Sequence, residues 1–222
     1  MKNGVQFSPL QSGDVVAVVA PSGRAEDDVL SSGELAIRKA GFTPFIHPQC
    51  YERLGKSSLA GTDEVRLNAL HEVYADRAVK AILCARGGYG APRIVASLDY
   101  KLIRKNPKPF VGYSDQTAIL AALTSHTQQP AFLGPMLWGQ HNLKQASSWK
   151  HLWQVLRGVN IQPTDHPAAR RARVMVEGTA TGRLLGGNLS LLSACMGTST
   201  MPDFKGAILV LEDVGEPLYR ID

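Results

Sequence analysis

Several features that would place a chain in a special class of protein are missing from these 222 residues. No stretch approaches the ~20 consecutive apolar residues that a helix needs to cross a bilayer. Residues 1–14 contain one lysine and no continuous apolar segment, which argues against a secretory signal. Cysteine is scarce: Cys50, Cys84 and Cys195 are an odd number without paired spacing, which argues against a disulfide framework or a zinc site. We therefore expect reduced, partly buried thiols in a cytoplasmic protein with no membrane partner.

The positive charge is not concentrated in one place. Lysine and arginine total 24 against 19 acidic residues, for a net charge of +5, but the basic residues are scattered. The densest cluster, Arg170, Arg171 and Arg173, lies in a polar, proline-bearing segment that is typical of an exposed loop. We therefore expect no nucleic-acid partner.

Buried strand signals alternate with helix signals through the first 160 residues. The apolar runs at residues 14–21 and 78–84 are typical of strands buried on both faces. Between them, residues 26–40 have an apolar helical face that ends at Gly41, and residues 42–47 form a further short strand signal. This alternation predicts an α/β fold with a doubly wound, mostly parallel sheet, which binds ligands at the carboxyl ends of its strands.

The pattern changes after residue 160. Residues 161–172 carry two prolines and no apolar period, so we predict an N-terminal α/β domain over 1–160, a linker over 161–172 and an incomplete second, β-containing domain over 173–222. Within the last part, Val174–Gly182 and Ala207–Leu211 are predicted strands, and Gly186–Leu192 is predicted to open a short helix.

The first candidate for chemistry is Ser114. It stands between an apolar strand signal and an apolar helix that begins at Asp115, in the kind of turn where a sheet presents a nucleophile beside free N–H groups of the helix. The second glycine of a G-x-S-x-G elbow is absent, because Gln116 takes its place. Serine or aspartate ahead of a helix is also a common N-cap. This segment alone leaves both interpretations open.

A glycine-rich turn follows the strand at residues 78–84. Gly87, Gly88 and Gly90 permit positive φ angles and bring backbone N–H groups close to an anion or oxyanion. No Lys-Ser or Lys-Thr pair follows, and the third glycine of a dinucleotide fingerprint is missing, which argues against nucleotide binding. Arg86, at the same edge, is suited to hold a carboxylate. A tight turn without a ligand would show the same residues.

An acid follows the last buried strand signal. Glu212 comes directly after residues 207–211, where a carboxylate can orient a catalytic base or simply be solvated. Glu216, four residues later, is the alternative acid.

Four segments, in this order, resemble the LD-carboxypeptidase family, the murein tetrapeptide carboxypeptidases of peptidase family S66. They are ARGGYG at 85–90, GYSDQT at 112–117, GGNLS at 186–190 and LEDVGEPLYRID at 211–222. The resemblance implies a cytoplasmic serine hydrolase that removes the terminal D-alanine from murein tetrapeptides during cell-wall recycling, without a metal or cofactor.

By this resemblance, Ser114 matches the nucleophile and Glu212 the acid of a Ser-Glu-His triad. The N–H groups of Gly88 and Asp115 are the expected oxyanion donors. The predicted substrate-binding residues are Arg86, Gly87 and Tyr89, with Arg86 assigned to the terminal carboxylate on physical grounds.

Two features depart from the family pattern. Leu133 stands where the family leads us to expect a polar residue. The family histidine lies beyond the Glu212 segment, in a second domain, whereas this sequence ends at Asp222. We therefore expect Ser114 and Glu212 to approach each other only loosely, and the 222 residues alone to be a weak hydrolase with exposed apolar surface, which favours a homodimer. Of the six histidines, His47 and His166 are the ones to test as a substitute base.

Two other functions compete with this one. A microcin-immunity type of peptidase, similar in sequence, cleaves aminoacyl-adenylate analogues and would need an aromatic platform for adenine. A non-catalytic module would keep the glycine turns only to hold a peptide carboxylate. Turnover of a murein tetrapeptide, turnover of an adenylate, or binding without turnover separates the three.

Overall fold

A computed structural model describes residue 5 and residues 7–137, 146–162 and 167–222. Its larger sheet has five strands, all parallel, in the order β2-β1-β3-β4-β5. The strands are β1 (Val15–Val19), β2 (Thr43–Ile46), β3 (Val79–Cys84), β4 (Phe110–Gly112) and β5 (Phe132–Leu133). The helices in this part of the chain are α1 (Asp27–Lys39), α2 (Asp63–Ala75), α3 (Ala91–Ile94), α4 (Tyr100–Lys105), α5 (Thr117–Thr127) and α6 (Ala146–Leu156).

Helices cover both faces of this sheet, so the predicted doubly wound parallel fold is confirmed. In β1, Ala17 and Val19 face the layer that includes α2 and α5, whereas Val16 and Val18 face α1 and α6. All four side chains are buried. Because both faces are covered, the strand needs apolar residues at every position, and this explains the continuous apolar run in the sequence.

The ends of the early helices follow their sequence signals. The Thr62 hydroxyl accepts a hydrogen bond from the Val65 N–H and caps α2. Gly41, after α1, has φ +89°, the left-handed conformation that a glycine permits without strain. At the other end of α2, the buried Lys108 ammonium donates to the carbonyls of Val73 and Tyr74 at 2.7 and 2.8 Å. These contacts satisfy the last carbonyls of the helix, which have no partner within it.

The second sheet is small. It pairs β6 (Arg183–Asn188) with β7 (Ala207–Glu212) in parallel, and it is accompanied by α7 (Leu189–Cys195) and α8 (Leu218–Ile221). Much of its apolar surface is exposed to solvent, including Leu184, Leu209 and Leu211. No helix in the described ranges is long and apolar enough to span a membrane.

Two expectations for this part of the chain were wrong. Val174–Gly182 forms no strand, because its apolar side chains Val174, Met175 and Val176 have no surface to pack on and are exposed. Gly186 and Gly187 lie in β6, and the helix begins only at Leu189, capped by the Asn188 side chain. Residues 163–166 of the predicted linker 161–172 lie outside the described residues, and the division into domains stays a prediction.

Candidate active site

Three loops meet at the carboxyl edge of the larger sheet. They follow β1 (residues 20–23), β3 (residues 85–90) and β4 (residues 113–116). β1 and β3 are neighbours in the sheet although β2 separates them in sequence, so the strand order reverses between them. Such a switch point leaves a crevice, where open α/β sheets bind their ligands.

The loop after β4 holds Ser114 in a strained conformation. Its φ of 59° is one of two positive values among the described residues other than glycine; the second is at Gln128. A short 3-10 turn over Ser114–Gln116 then leads into α5. A sharp strand-to-helix turn with a left-handed serine is the geometry of a nucleophile elbow. The elbow forms without its second glycine because the Gln116 side chain turns inward and is fully buried.

The glycine turn after β3 packs directly against this serine. A Cβ atom added to Gly87 would lie 3.3 Å from the Ser114 Oγ and 3.2 Å from the Met136 Cε, so position 87 has little room for a side chain. Gly88 has φ +107°, a conformation that side chains rarely adopt. Gly87 therefore lets the turn approach the Ser114 hydroxyl closely, and Gly88 lets the chain change direction beside it.

A buried polar network joins the three loops. The Asp115 carboxylate accepts the Ser22 hydroxyl at 2.5 Å and the Ala91 N–H at 2.7 Å. The Gln116 amide donates to the Ser22 Oγ at 2.9 Å and to the Arg86 carbonyl at 3.1 Å. These side chains are buried, and unpaired polar groups at such positions would be costly. The N–H of Asp115 is a predicted oxyanion donor, and the carboxylate of the same residue holds the loops together.

A fully buried arginine links the loop after β1 to the loop after β3. The guanidinium of Arg66, on α2, donates to the carbonyls of Pro21 and Gly90, the latter at 2.9 Å. It also pairs with Asp63. A hydrogen bond from Arg93 lowers the pKa of Asp63 despite opposing burial, and Arg66 adds to this effect. The role of Arg66 could not be predicted from the sequence, because the two carbonyls that it joins are far from it in the chain.

The predicted substrate-binding residues lie at the rim of the crevice. Arg86 is half-buried, and its guanidinium donates to the Arg24 carbonyl at 3.2 Å. Tyr89 is exposed. Arg24 in turn pairs with Glu26 at 3.0 Å. Two arginines therefore stand at one side of the glycine turn, and Glu26 balances the charge of Arg24.

The second sheet contacts the site through one end of β6. The Asn188 N–H donates to the Thr117 Oγ1 at 2.9 Å, three residues after Ser114. A Cβ atom on Gly187 would lie 2.5 Å from the Thr117 Cγ2, so only glycine allows this approach. Asn188 lies opposite Glu212 in the pairing of β6 with β7. Glu212 is therefore about 5 Å from Asn188, at the same end of the smaller sheet.

The two candidate acids have different surroundings. The Glu212 Oε1 is buried and has no hydrogen-bond partner among the described residues. The Glu216 Oε1 accepts the Ser190 hydroxyl at 2.8 Å, and its Oε2 lies 3.1 Å from the Arg220 Nε. Glu216 is therefore tied to α7 and to Arg220, although its Oε2, like the Glu212 Oε1, is buried and lacks a hydrogen bond among the described residues.

A groove of about 1040 Å³ runs between the edge of the larger sheet and β6 and β7. Glu212, Tyr113 and Gly186 line it, and so does Leu133, the residue that departs from the family pattern. His151, on α6, lines the groove as well. His47 is engaged elsewhere, because its Nε2 lies 3.0 Å from Glu72 and its Nδ1 accepts the Gln49 N–H. His166 lies outside the described residues.

Models of two domains of one family match this chain. The N-terminal domain of LD-carboxypeptidases matches residues 16–134, and the C-terminal domain of the same enzymes matches residues 181–222. The first match alone covers more than half of the chain. The chain therefore belongs to the LD-carboxypeptidase family.

Individual relatives agree with this assignment. A "Probable murein peptide carboxypeptidase" of Bacillus subtilis is 38% identical over 219 residues, which are 96% of this chain and 66% of the relative. A murein tetrapeptide carboxypeptidase of Pseudomonas aeruginosa is 32% identical over 221 residues, 93% of this chain and 68% of the relative. The chain thus spans about two thirds of the length of these relatives, and their names support a peptidase of the carboxypeptidase type.

Solved structures share the fold. The muramoyltetrapeptide carboxypeptidase from Oxalobacter formigenes is 28% identical with a TM-score of 0.74, over 93% of this chain and 68% of that one. An MccF-like protein from Bacillus anthracis is 29% identical with a TM-score of 0.82, over 93% of this chain and 69% of that one.

Proposed function

We propose that this chain is a serine LD-carboxypeptidase that removes the terminal D-alanine from murein tetrapeptides in the cytoplasm, as part of cell-wall recycling. The observation that carries the proposal is the left-handed Ser114, whose hydroxyl lies against Gly87 at the carboxyl edge of a parallel sheet. Strain of this kind persists where the surroundings hold it in place and is concentrated at active sites.

In the proposed reaction, the Ser114 Oγ attacks the carbonyl carbon of the last peptide bond. The N–H groups of Gly88 and Asp115 stabilise the oxyanion that forms. The bond to the D-alanine nitrogen then breaks, which leaves an acyl-enzyme that water hydrolyses. A histidine oriented by Glu212 would take the serine proton and deliver it to the leaving amine. Glu212 lines the groove beside the larger sheet, and this position supports Glu212 over Glu216.

Substrate binding follows from charge and shape. A carboxypeptidase must recognise a free carboxylate next to the scissile bond, and Arg86 stands at the rim of the glycine turn for that task. Gly87 and Tyr89 border the same position. The rest of the peptide would lie in the groove lined by Tyr113 and Leu133. The names of the relatives support a murein peptide as the ligand.

The test is release of D-alanine from a murein tetrapeptide, compared with the same peptide ending in L-alanine. Ser114→Ala should lower turnover by about 10⁴ to 10⁶. Ser31→Ala, on the exposed face of α1, is the matched control and should leave the rate unchanged. Binding of the tetrapeptide without turnover by the complete gene product would contradict the proposal and favour a non-catalytic module.

The assay should compare the 222 residues with the complete gene product. We expect weak turnover from the 222 residues alone, because a serine hydroxyl needs a base to become a good nucleophile. Comparable turnover by both would place the base within these residues. His151 would then be the first histidine to replace, since it lines the groove with Glu212.

A second candidate function follows from the MccF-like structure, which at 29% identity is as similar in sequence as the muramoyltetrapeptide carboxypeptidase. Cleavage of an aminoacyl-adenylate analogue would need an aromatic surface for the base. Among the described residues, the tyrosine, phenylalanine and tryptophan side chains that line the groove are Tyr113 and Phe132. Faster turnover of the adenylate than of the tetrapeptide would favour this function.

A further inference from the structure

The loop after β1 has no role in the reaction as described, yet it lies at the centre of the site. Ser22 is completely buried there, and Gly23 contacts the glycine turn. Each makes hydrogen bonds to a loop that carries a proposed catalytic group.

Gly23 fixes the orientation of one peptide group. Its N–H donates to the Gly87 carbonyl at 3.0 Å. The carbonyl of residue 87 and the N–H of residue 88 belong to one planar trans peptide, in which they point in opposite directions. Holding the Gly87 oxygen toward Gly23 therefore turns the Gly88 N–H away from Gly23. A Cβ atom on Gly23 would lie 2.7 Å from this oxygen, so a side chain there would disturb the bond.

Ser22 ties the two ends of the glycine turn to the residues that follow Ser114. Its hydroxyl donates to Asp115, which also accepts the Ala91 N–H just after the turn. Its oxygen accepts from Gln116, which also donates to the Arg86 carbonyl at the start of the turn. One buried hydroxyl thus couples the position of the turn to the position of the nucleophile elbow.

We infer that Ser22 and Gly23 are positioning residues, which set the direction and distance of the Gly88 N–H relative to Ser114. The inference rests on the proposed function, because it assigns the Gly88 N–H to an oxyanion. The physical reason is that an oxyanion donor acts only when it is held, before the reaction, where charge will develop. Both residues are buried and act through the loops that they contact, Gly23 through the glycine turn and Ser22 through Asp115 and Gln116.

The kinetic test uses the complete gene product and the murein tetrapeptide. Ser22→Ala should lower kcat by about 10- to 100-fold and leave KM within about twofold, since a misplaced oxyanion donor weakens the transition state and spares the bound substrate. Ser22→Cys, which keeps a weak donor in a similar volume, should recover part of the rate. Gly23→Ala should cause a larger loss of kcat because it breaks the bond to Gly87 directly.

The matched control is Thr127→Val, which removes another buried hydroxyl bond at the far end of α5, about 15 Å along the helix axis from the elbow. It should lower thermal stability and leave kcat unchanged. If Ser22→Ala behaved in the same way at a temperature far below unfolding, Ser22 would have a purely structural role and the inference would be wrong.

A second readout does not depend on turnover. In ¹⁵N spectra of the 222 residues, the Gly88 amide signal should move in Ser22→Ala and in Gly23→Ala and stay in place in Thr127→Val. An unmoved Gly88 signal would overturn the inference whatever the activity. A moved signal, together with no alanine release by the complete gene product, would instead uphold the positioning and contradict the proposed function.

Discussion

The two sheets of this protein are built from similar residues but are covered very differently. Both contain apolar runs, yet residues 16–19 of β1 are fully buried between two layers of helices, whereas Leu209, in the middle of β7, is 52% exposed. The loops at the edge of the larger sheet are joined by a buried network around Ser22 and by Arg66. The smaller sheet reaches the same place through the contact of Asn188 and Gly187 with Thr117.

This difference separates the parts of the proposed site. The serine and the glycine turn are fixed by the same packing that holds the protein together, so their geometry and the global stability should change together. The candidate acid stands on β7, which is held beside the larger sheet through β6 and α7, so its alignment can change while the larger sheet stays intact. The comparison predicts that substitutions in the first region change folding and turnover together, and that substitutions in the second change turnover with a smaller change in folding.

Within the second region, the largest expected effect is on turnover. Glu212→Gln keeps the shape of the side chain but removes the charge that would orient the base, so D-alanine release by the complete gene product should fall by about 10³ to 10⁴. The matched control is Glu216→Gln, whose carboxylate contacts Ser190 and Arg220; its rate should stay within about tenfold of wild type. The opposite ranking of the two variants would assign the acid to Glu216.

The next effect is on stability and compares the two sheets directly. Leu83→Ala, in β3 with no exposed surface, should lower the free energy of unfolding by about 2 to 5 kcal/mol. Leu209→Ala, in β7, should lower it by less than about 1 kcal/mol because its side chain is already half in water. Chemical denaturation of both variants measures the difference. Equal losses would mean that β7 is covered in solution, as a homodimer through this surface would require.

A smaller effect should appear where the second sheet docks. Gly187→Ala places a methyl group 2.5 Å from the Thr117 Cγ2, so the end of β6 must move and Glu212 with it. We expect turnover to fall about tenfold, which corresponds to about the free energy of one hydrogen bond to a charged group. The free energy of unfolding should fall by about 1 kcal/mol. Gly206→Ala is the control, since it shares a positive φ but has open space around it. A similar loss of turnover in both variants would refute the docking role.

The last expected effect concerns pH and the buried thiols of the larger sheet. Burial raises the pKa of Cys50 to about 12 and that of Cys84 well above its ordinary value of 9. Above pH 9 the unfolded chain releases these protons and the folded one keeps them, so stability should fall as pH rises from about 9 toward 12. Each thiol contributes a slope of at most about 1.4 kcal/mol per pH unit.

Cys50→Ala should make this slope shallower without removing it, as urea unfolding at pH 8, 9, 10 and 11 would show. The contribution of Lys108 runs the other way, because burial lowers its pKa to about 8 and stability from this group rises between about pH 8 and 10.5. Comparing each variant with wild type at the same pH cancels that contribution. An unchanged slope in Cys50→Ala would mean that this thiol is accessible in the folded protein.

The larger sheet could be predicted from the sequence because burial on both faces leaves a signal at every position of a strand. The same logic failed for Val174–Gly182, where apolar side chains suggested a strand but have nothing to pack against. β6 was missed because Gly186 and Gly187, predicted to open a helix, are in fact required where the strand passes close to β7 and α5.

The candidate catalytic residues could be located from local sequence signals, whereas the residues that hold them in place could not. Ser114 and the glycine turn have recognisable turn chemistry, and both lie where the strand order places them together. Ser22 stands directly after β1, and its place at the carboxyl edge was a usable signal, although its partners Asp115 and Gln116 are more than ninety residues away. Arg66 carried a misleading signal, since a charged residue on a helix is usually solvated.

The left-handed backbone at Ser114 also bears on how such a protein can evolve. Glycine adopts φ 59° without the steric cost that a serine bears, so Ser114→Gly should be neutral or stabilising for the fold. Selection for heat resistance alone would therefore favour the replacement that deletes the proposed nucleophile. A serine retained at this position across a lineage would indicate that activity, and not folding, is under selection there.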